Sequence, residues 1–331
     1  MPLSRRPGEA PGGRRRGSPW TGLGVVVAKE TADHLSGARM VVIEALVFLV
    51  ALVLAWFSTT TIRESIGQSP FLFLRLLTIA PDPIPFSFIG MVGLVTPIIA
   101  IALGFDAINA EFNQRTLSRI LAQPIYRDAF LFGKFLARLL SLTIALVSLW
   151  LLVLGLGFIR LGLPPSFEEL MRMLGFLVAT IAYGGVWLAL ALLFSVLFRA
   201  PATAALAALG LWLLFALFWT VMITPLVAQL IAGPPEGVFG PSLAYINTEQ
   251  ILERISPNTL YSETALALLQ PQTRALGPVF VSQLRGALLG APLPVSQSFI
   301  LIWPQLTGLI AATIGIFVIA YVAFQRQEIR A

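Results

Sequence analysis

The chain has 331 residues, 57% of them apolar and only 11% charged, with a mean hydropathy of +0.86 and a formal net charge of +6. Those proportions exclude an ordinary soluble domain, and several apolar runs of about 20 residues or more are long enough to cross a bilayer. With no cysteine, the chain has neither a disulfide framework nor a thiolate metal site.

Residues 1–19, MPLSRRPGEAPGGRRRGSP, are rich in Pro, Gly and Arg and cannot bury a core, so a disordered basic tail is expected there, its arginines suited to an anionic membrane leaflet. Arg5 and Arg6 lack the apolar stretch that follows in an export signal, and no cleavage is expected. From Trp20 to Arg39, small apolar residues such as Val25, Val26, Ala28 and Ala32 mix with Lys29, Glu30 and Asp33, a pattern that suits an interfacial helix. His34 is the one histidine and has no second His or Cys with which to share a metal, so it reads as an interfacial or partner-facing side chain.

A first membrane span is expected at 41–61, with Glu44 close enough to its start to reach the headgroups. A loop with a short apolar helix at 71–79 follows, then a second span at 86–105. Gly93, Thr96 and Pro97 lie inside this second span, where small residues permit close packing and proline frees a carbonyl. They read either as a kinked packing face or as a hinge that lines a pathway.

The stretch from Gly104 to Arg138 breaks the apolar pattern with Asp106, Glu111, Arg115, Arg119, Arg127, Asp128, Lys134 and Arg138. Asp106 to Asn113 is expected to continue the preceding helix out of the bilayer. Thr116 to Gln123 forms a separate short helix, with Leu117, Ile120 and Leu121 on one face and Arg115, Ser118, Arg119 and Gln123 on the other, and Pro124 ends it. Glu111 stands four residues before Arg115, the favourable order for a helical ion pair. An amphipathic charged helix of this kind can dock a soluble partner.

The run FDAIN-AE, RTL, LAQPI and DAFLFGK within this stretch closely resembles the first cytoplasmic loop of type 2 ABC transporter permeases, above all those of the nitrous-oxide reductase maturation type. The resemblance covers nearly the whole chain. It implies a coupling helix seated on a separate ATPase subunit, with Glu111, Arg115, Thr116, Leu117, Arg119, Ile120, Gln123 and Pro124 as the docking surface. Many relatives carry Gly where Arg115 stands. The family's second and fifth spans line its translocation surface, which implies pathway-lining roles for Gly93, Thr96, Pro97, Ala204 and Ala208. It also implies an opening elbow helix, which fits the 20–39 segment.

A third span is expected at 130–159, with Lys134 and Arg138 as anchors at its inner end. Gly133-Lys134 is not a nucleotide loop, because no glycine precedes it at the required spacing and Phe135 replaces the hydroxyl that would hold magnesium. A fourth span at 170–198 begins after Glu168 and Glu169, which suit a helix N-terminus. A fifth span at 202–223 opens with the small residues Ala202, Ala204, Ala205, Ala207, Ala208 and Gly210, fit for a tight helix contact either within one copy or with a second copy of the chain. Residues 225–298 form a large outer excursion, expected to hold several short helices, and a sixth span follows at 299–324.

Six spans place both termini on one side, and fifteen of the 22 Lys and Arg residues fall on that side, which the positive-inside rule assigns to the cytoplasm. The fold class expected is therefore all-α: a polytopic cell-membrane protein, with residues 20–331 as one permease domain. No HExxH, GxSxG or Cys/His cluster is present, so an intramembrane enzyme lacks its reacting groups. Spans this poor in charge also disfavour an ion-driven carrier, which remains the alternative together with a membrane scaffold. The function expected is a permease subunit that binds no cofactor of its own. ATP and magnesium sit on a cytoplasmic ATPase partner, and a second permease copy and the lipid bilayer complete the assembly, without nucleic acid.

Overall fold

The computed structural model describes residues 22–64, 71–114, 127–234, 242–272 and 292–326, and the described residues are helical with no strand among them. Six helical stretches are long and apolar enough to cross a membrane. In chain order the elements are α1 (Leu23–Ser36), α2 (Ala38–Glu64), α3 (Leu72–Thr78), α4 (Phe88–Gly104), α5 (Asn109–Asn113), α6 (Arg127–Leu161) and α7 (Phe167–Leu197). Then come α8 (Pro201–Leu213), a π-helical segment (Leu214–Ile223), α9 (Thr224–Ala232), α10 (Leu243–Glu253), α11 (Pro257–Leu269) and α12 (Val295–Arg326).

Helix α7 is the centre of the bundle. It packs against α12, α4, α11, α6 and α8, and 72% of its apolar window is buried, against 11% for the span built from α8, the π segment and α9. Its start is fixed by a capping box: the Ser166 hydroxyl accepts from the Glu169 N–H at 3.2 Å, and the Glu169 carboxylate accepts from the Ser166 N–H at 2.8 Å. The second oxygen of Glu169 accepts from the Phe73 N–H at 2.8 Å, so one carboxylate serves the first turns of two helices, α7 and α3. Close packing around α7 depends on glycine: a Cβ on Gly184 would lie 2.6 Å from Leu142 Cδ2, and one on Gly104 would lie 2.7 Å from the Ala191 Cβ.

Two departures from the sequence reading have local causes. The fifth span does not stop at Ile223 but runs on to Ala232, so residues 225–232 belong to it and not to the outer excursion. Pro225 sits in the first turn of α9, where a missing N–H costs little, and Gly233, at φ 86°, ends the helix with its N–H on Gln229 O. The second span does not continue smoothly through Asp106 either. It ends at Gly104, turns through 105–108, and resumes as α5.

The excursion holds the expected short helices. The Ser242 hydroxyl caps α10 by accepting from the Tyr245 N–H at 3.2 Å. Helix α11 is not a surface feature: Tyr261, Thr264, Ala265, Ala267, Leu268 and Leu269 are all buried where it wedges between α7, α12 and α4.

Candidate functional site

Two polar clusters sit at opposite ends of the bundle. The first lies at the α1 end, where the 105–113 segment leaves α4. The Lys134 side chain is 3% exposed and its ammonium donates to both Glu30 oxygens at 3.2 Å and to Glu111 Oε1 at 3.1 Å. It also lies 5.1 Å from the centre of the Phe130 ring. One turn on, Arg138 Nε donates to Leu103 O at 2.8 Å, and its Nη1 donates to Glu30 Oε2 at 3.3 Å and to Lys134 O at 3.1 Å. Arg39 and Asp106 make a separate, more exposed pair nearby at 2.9 Å, Arg39 lying over Phe105. Two carboxylates and two cations from α1, α5 and α6 are thereby held together. Removing one of these buried cations strands its carboxylate partners, which is why the set holds these elements in register.

His34 borders this cluster. Burial, with the nearby Arg138 guanidinium adding to it, holds its imidazole well below the usual histidine value, at about 4, so the ring is neutral at physiological pH.

The same segment is tied on its other side to α7. The Ser195 hydroxyl accepts from the N–H groups of Ile108 and Asn109, at 2.8 and 3.3 Å. The Asn109 amide donates to Phe198 O at 3.4 Å, and the Asn113 amide donates to Arg199 O at 3.2 Å. The chain therefore passes into residues 115–126 from a short helix gripped by α6 and by the α7–α8 turn.

Of the residues singled out in the sequence, Glu111 lies in this cluster. Arg115, Thr116, Leu117, Arg119, Ile120, Gln123 and Pro124 lie outside the described residues. Lys134 and Arg138, expected as anchors at the inner end of the third span, are buried there: their side chains are 3% and 4% exposed and both pair with Glu30 from α1. The small pair Gly133-Lys134 finds its reason in packing: a Cβ on Gly133 would lie 2.6 Å from Val26 Cγ1, so α1 rests on the bare backbone of α6.

The five residues read as pathway-lining pack within the chain. Gly93 faces Tyr261, whose Cε1 would lie 3.1 Å from an added Cβ, and its carbonyl lies 3.2 Å from the Tyr183 hydroxyl. Thr96 is buried opposite Gly184, and Pro97 is buried within α4. Ala204 and Ala208 are fully buried where α8 meets α7 and α4, whereas Ala202, Leu206 and Gly210 on the same helix stay exposed.

The second cluster, at the opposite end, went unread in the sequence. Arg172 has no exposed side-chain surface. It donates to Glu168 Oε1 at 2.9 and 3.1 Å, to Leu268 O at 3.1 Å, to Ser298 Oγ at 3.0 Å and to Leu293 O. One guanidinium thus joins α7, the end of α11 and the start of α12. Further along α11, the Glu263 carboxylate accepts from Gln305 Nε2 at 2.9 Å and pairs with Arg254 at 3.1 Å. The Tyr183 hydroxyl donates to Asn258 Oδ1 at 2.7 Å, and the Tyr183 and Tyr261 rings stack with centres 4.4 Å apart. Nothing local marks Arg172 in the sequence beyond its position four residues after Glu168.

Six apolar helices with α7 at their centre, and a gripped polar segment between the second and third, define a multi-pass membrane protein. Residues 24–329 match the family described as ABC-2 family transporter protein, and the chain belongs to that family. It is similar to a probable ABC transporter permease protein NosY of Stutzerimonas stutzeri, 27% identical over 309 residues, covering 91% of this chain and 97% of the relative. A probable ABC transporter permease protein NosY of Pseudomonas aeruginosa is 32% identical over 178 residues, covering 52% of this chain and 57% of that protein. The chain is accordingly the membrane subunit of an ABC transporter.

Proposed function

We propose that this chain couples ATP hydrolysis on a separate cytoplasmic subunit to export across the cell membrane, and that it works as a pair of copies with two such ATPases. Residues 111–124 are the docking surface, with both termini and the α1 end of the bundle facing the cytoplasm. ATP and magnesium are held by the partner. The observation that carries this reading is the way α5 is gripped. Ser195 holds its first turn, Lys134 holds Glu111, and Asn113 reaches the α7–α8 turn, so a push on 115–126 arrives at the bundle as a displacement rather than being absorbed by a slack loop. A second copy has an available surface on the fifth span, whose α8, π and α9 segments leave Leu206, Leu217, Val221 and Leu230 exposed.

The test is co-purification with the candidate ATPase and measurement of ATP-driven flux, for the native chain and for Glu111→Ala, Arg115→Ala and Leu117→Asp. Leu117→Asp places an unpaired charge on the apolar docking face and is expected to remove the partner; the two alanine variants are expected to lower flux. Flux driven by an ion gradient with no ATPase present would replace this reading with a secondary carrier. A stable complex with no flux under any condition would replace it with a scaffold.

A further inference from the structure

Beside the ion cluster, at the corner where α1 turns into α2, lies a cavity of about 120 Å³, far more than the roughly 15 Å³ that a single water needs. It sits where α2 begins and α4 ends, and its walls differ in kind. One is polar, with Asp33, His34 and Arg39; the other is apolar, with Ile43, Ala102 and Leu103. The polar wall has unused capacity. His34 Nε2 is shut off from solvent and has no hydrogen-bond partner. Asp106 takes one N–H of the Arg39 guanidinium, which carries five donors. Asp33 is held only by Lys29, in an exposed pair of the kind that contributes little. The N–H groups of Ala38, Arg39 and Met40 precede the first bond of α2, from Val41 N–H to Gly37 O at 3.1 Å, and so lack a helical acceptor.

Charge and polarity select the occupant. Asp33 and Arg39 bring one charge of each sign to the same wall. The charges that act on the His34 ring are balanced as well, Glu30 and Asp106 against Arg138 and Lys134. A lone anion or cation would gain one attraction and meet one repulsion, whereas a ligand with an ammonium a few bonds from a phosphate satisfies both. A free solute has no use for the apolar wall. A phospholipid does, since its glycerol and acyl chains continue where its headgroup stops. We propose that this cavity holds the headgroup of a zwitterionic phospholipid with a primary ammonium, of the phosphatidylethanolamine kind. Its phosphate meets Arg39 and His34 Nε2, its ammonium meets Asp33, and its chains run past Ile43 and the exposed Leu46 of α2. A trimethylated ammonium has no N–H to give Asp33, so the site favours the primary amine.

The full chain is stripped of lipid in detergent and given dioleoylphosphatidylethanolamine, dioleoylphosphatidylglycerol or dioleoylphosphatidylcholine at equal mole fraction. Bound lipid is read by native mass spectrometry, alongside the midpoint of thermal unfolding. Retention of a single phosphatidylethanolamine with a raised midpoint is expected, and weaker retention of the other two. Equal retention of all three overturns the proposal. Inorganic phosphate and phosphoethanolamine, the headgroup without its tail, are expected to leave the midpoint unchanged at the same concentration; a shift from either as large as the lipid's overturns the lipid as occupant. His34→Leu removes one hydrogen bond to a charged group and is expected to weaken retention about tenfold. Ala102→Phe fills the cavity without touching a charge and is expected to abolish retention, and Asp33→Asn to erase the preference for ethanolamine over choline. Variants that retain phosphatidylethanolamine as the native chain does overturn the site. Should they fail to fold, a phosphatidylethanolamine carrying a diazirine near its glycerol is cross-linked to the native chain. Adducts are then expected at residues 33–43 and 102–103, and adducts confined elsewhere overturn the site. No ATPase enters this experiment, so its failure leaves the proposed function standing.

Discussion

The two polar clusters do opposite kinds of work with similar residues. At the α1 end, Lys134 is held by carboxylates from two separate helices, and those carboxylates keep 14% and 21% of their side-chain surface exposed. At the opposite end, Arg172 has no exposed side-chain surface, and apart from Glu168 on its own helix its partners are neutral: two carbonyls and a hydroxyl. A planar guanidinium has five donors in a fixed fork, so carbonyls from α11 and from the approach to α12 can satisfy it only in one arrangement. An ammonium is a rotatable point charge that carboxylates can satisfy from more than one direction. The difference teaches that the Arg172 end accepts one arrangement of its neutral partners, whereas the Lys134 end is held by charge alone.

The sharpest way to break that comparison is at Arg172. Arg172→Met leaves Glu168, two carbonyls and Ser298 without their donor, and a loss of about 3–5 kcal/mol of stability is expected in thermal unfolding of the purified protein. Lys134→Met is expected to cost somewhat less, about 3 kcal/mol, because Glu30 and Glu111 retain some access to water. The Lys134→Met and Glu30→Gln losses should not add, a non-additivity of about 1 kcal/mol or more in a double-mutant cycle, although Glu30→Gln also takes a carboxylate from Arg138. Equal costs at both ends, with no coupling in the cycle, would erase the distinction.

Gly133→Ala asks whether α1 needs its bare seat on α6. The added Cβ would meet Val26 at 2.6 Å, and a destabilisation of about 1–3 kcal/mol is expected. Gly210→Ala, with nothing within 4 Å, should be neutral or slightly stabilising in the same assay. Tyr183→Phe removes the hydroxyl between Asn258 and Gly93 and should cost about 1 kcal/mol, a loss seen as faster hydrogen exchange in α11.

The smallest effect is the pH dependence of the α1 end. His34 has a folded value of about 4, below the 6.5 of the free side chain, so the unfolded chain takes up the proton first as the pH falls. Its contribution is complete above pH 6.5 and is lost as the pH falls toward 4. His34→Gln should flatten the part of the stability profile between those values. A variant that unfolds along the native curve would show that the neutral ring does not matter.

Much of the fold was legible because bilayer crossing imposes a length and a polarity on each span that no tertiary context overrides. The six spans, the short helix after the first and the helices of the excursion all follow from runs of apolar residues and their punctuation. The fifth span was expected to end at Ile223, two residues before Pro225, yet in the first turn of α9 a proline is tolerated and the helix runs on. Part of the α1-end cluster was also within reach. Lys134 and Arg138 are four apart on one face of α6, and Glu30 lies four residues from both Val26 and His34 on the face that α1 buries. Their meeting was not legible, since it depends on two helices about a hundred residues apart crossing at Gly133.

By itself the sequence determined the class of this protein: an all-helical membrane chain with a charged segment between its second and third spans, set by hydropathy and by a run of residues that resembles one family. Only the tertiary structure decided what the charges do. Burial made Lys134 and Arg138, two charges at the inner end of the third span, the centre of an ion cluster, and made Arg172 the joint of three helices. A charge cannot remain buried alone, so its partners must come from whichever elements the packing brings near. Sequence spacing does not record which elements those are.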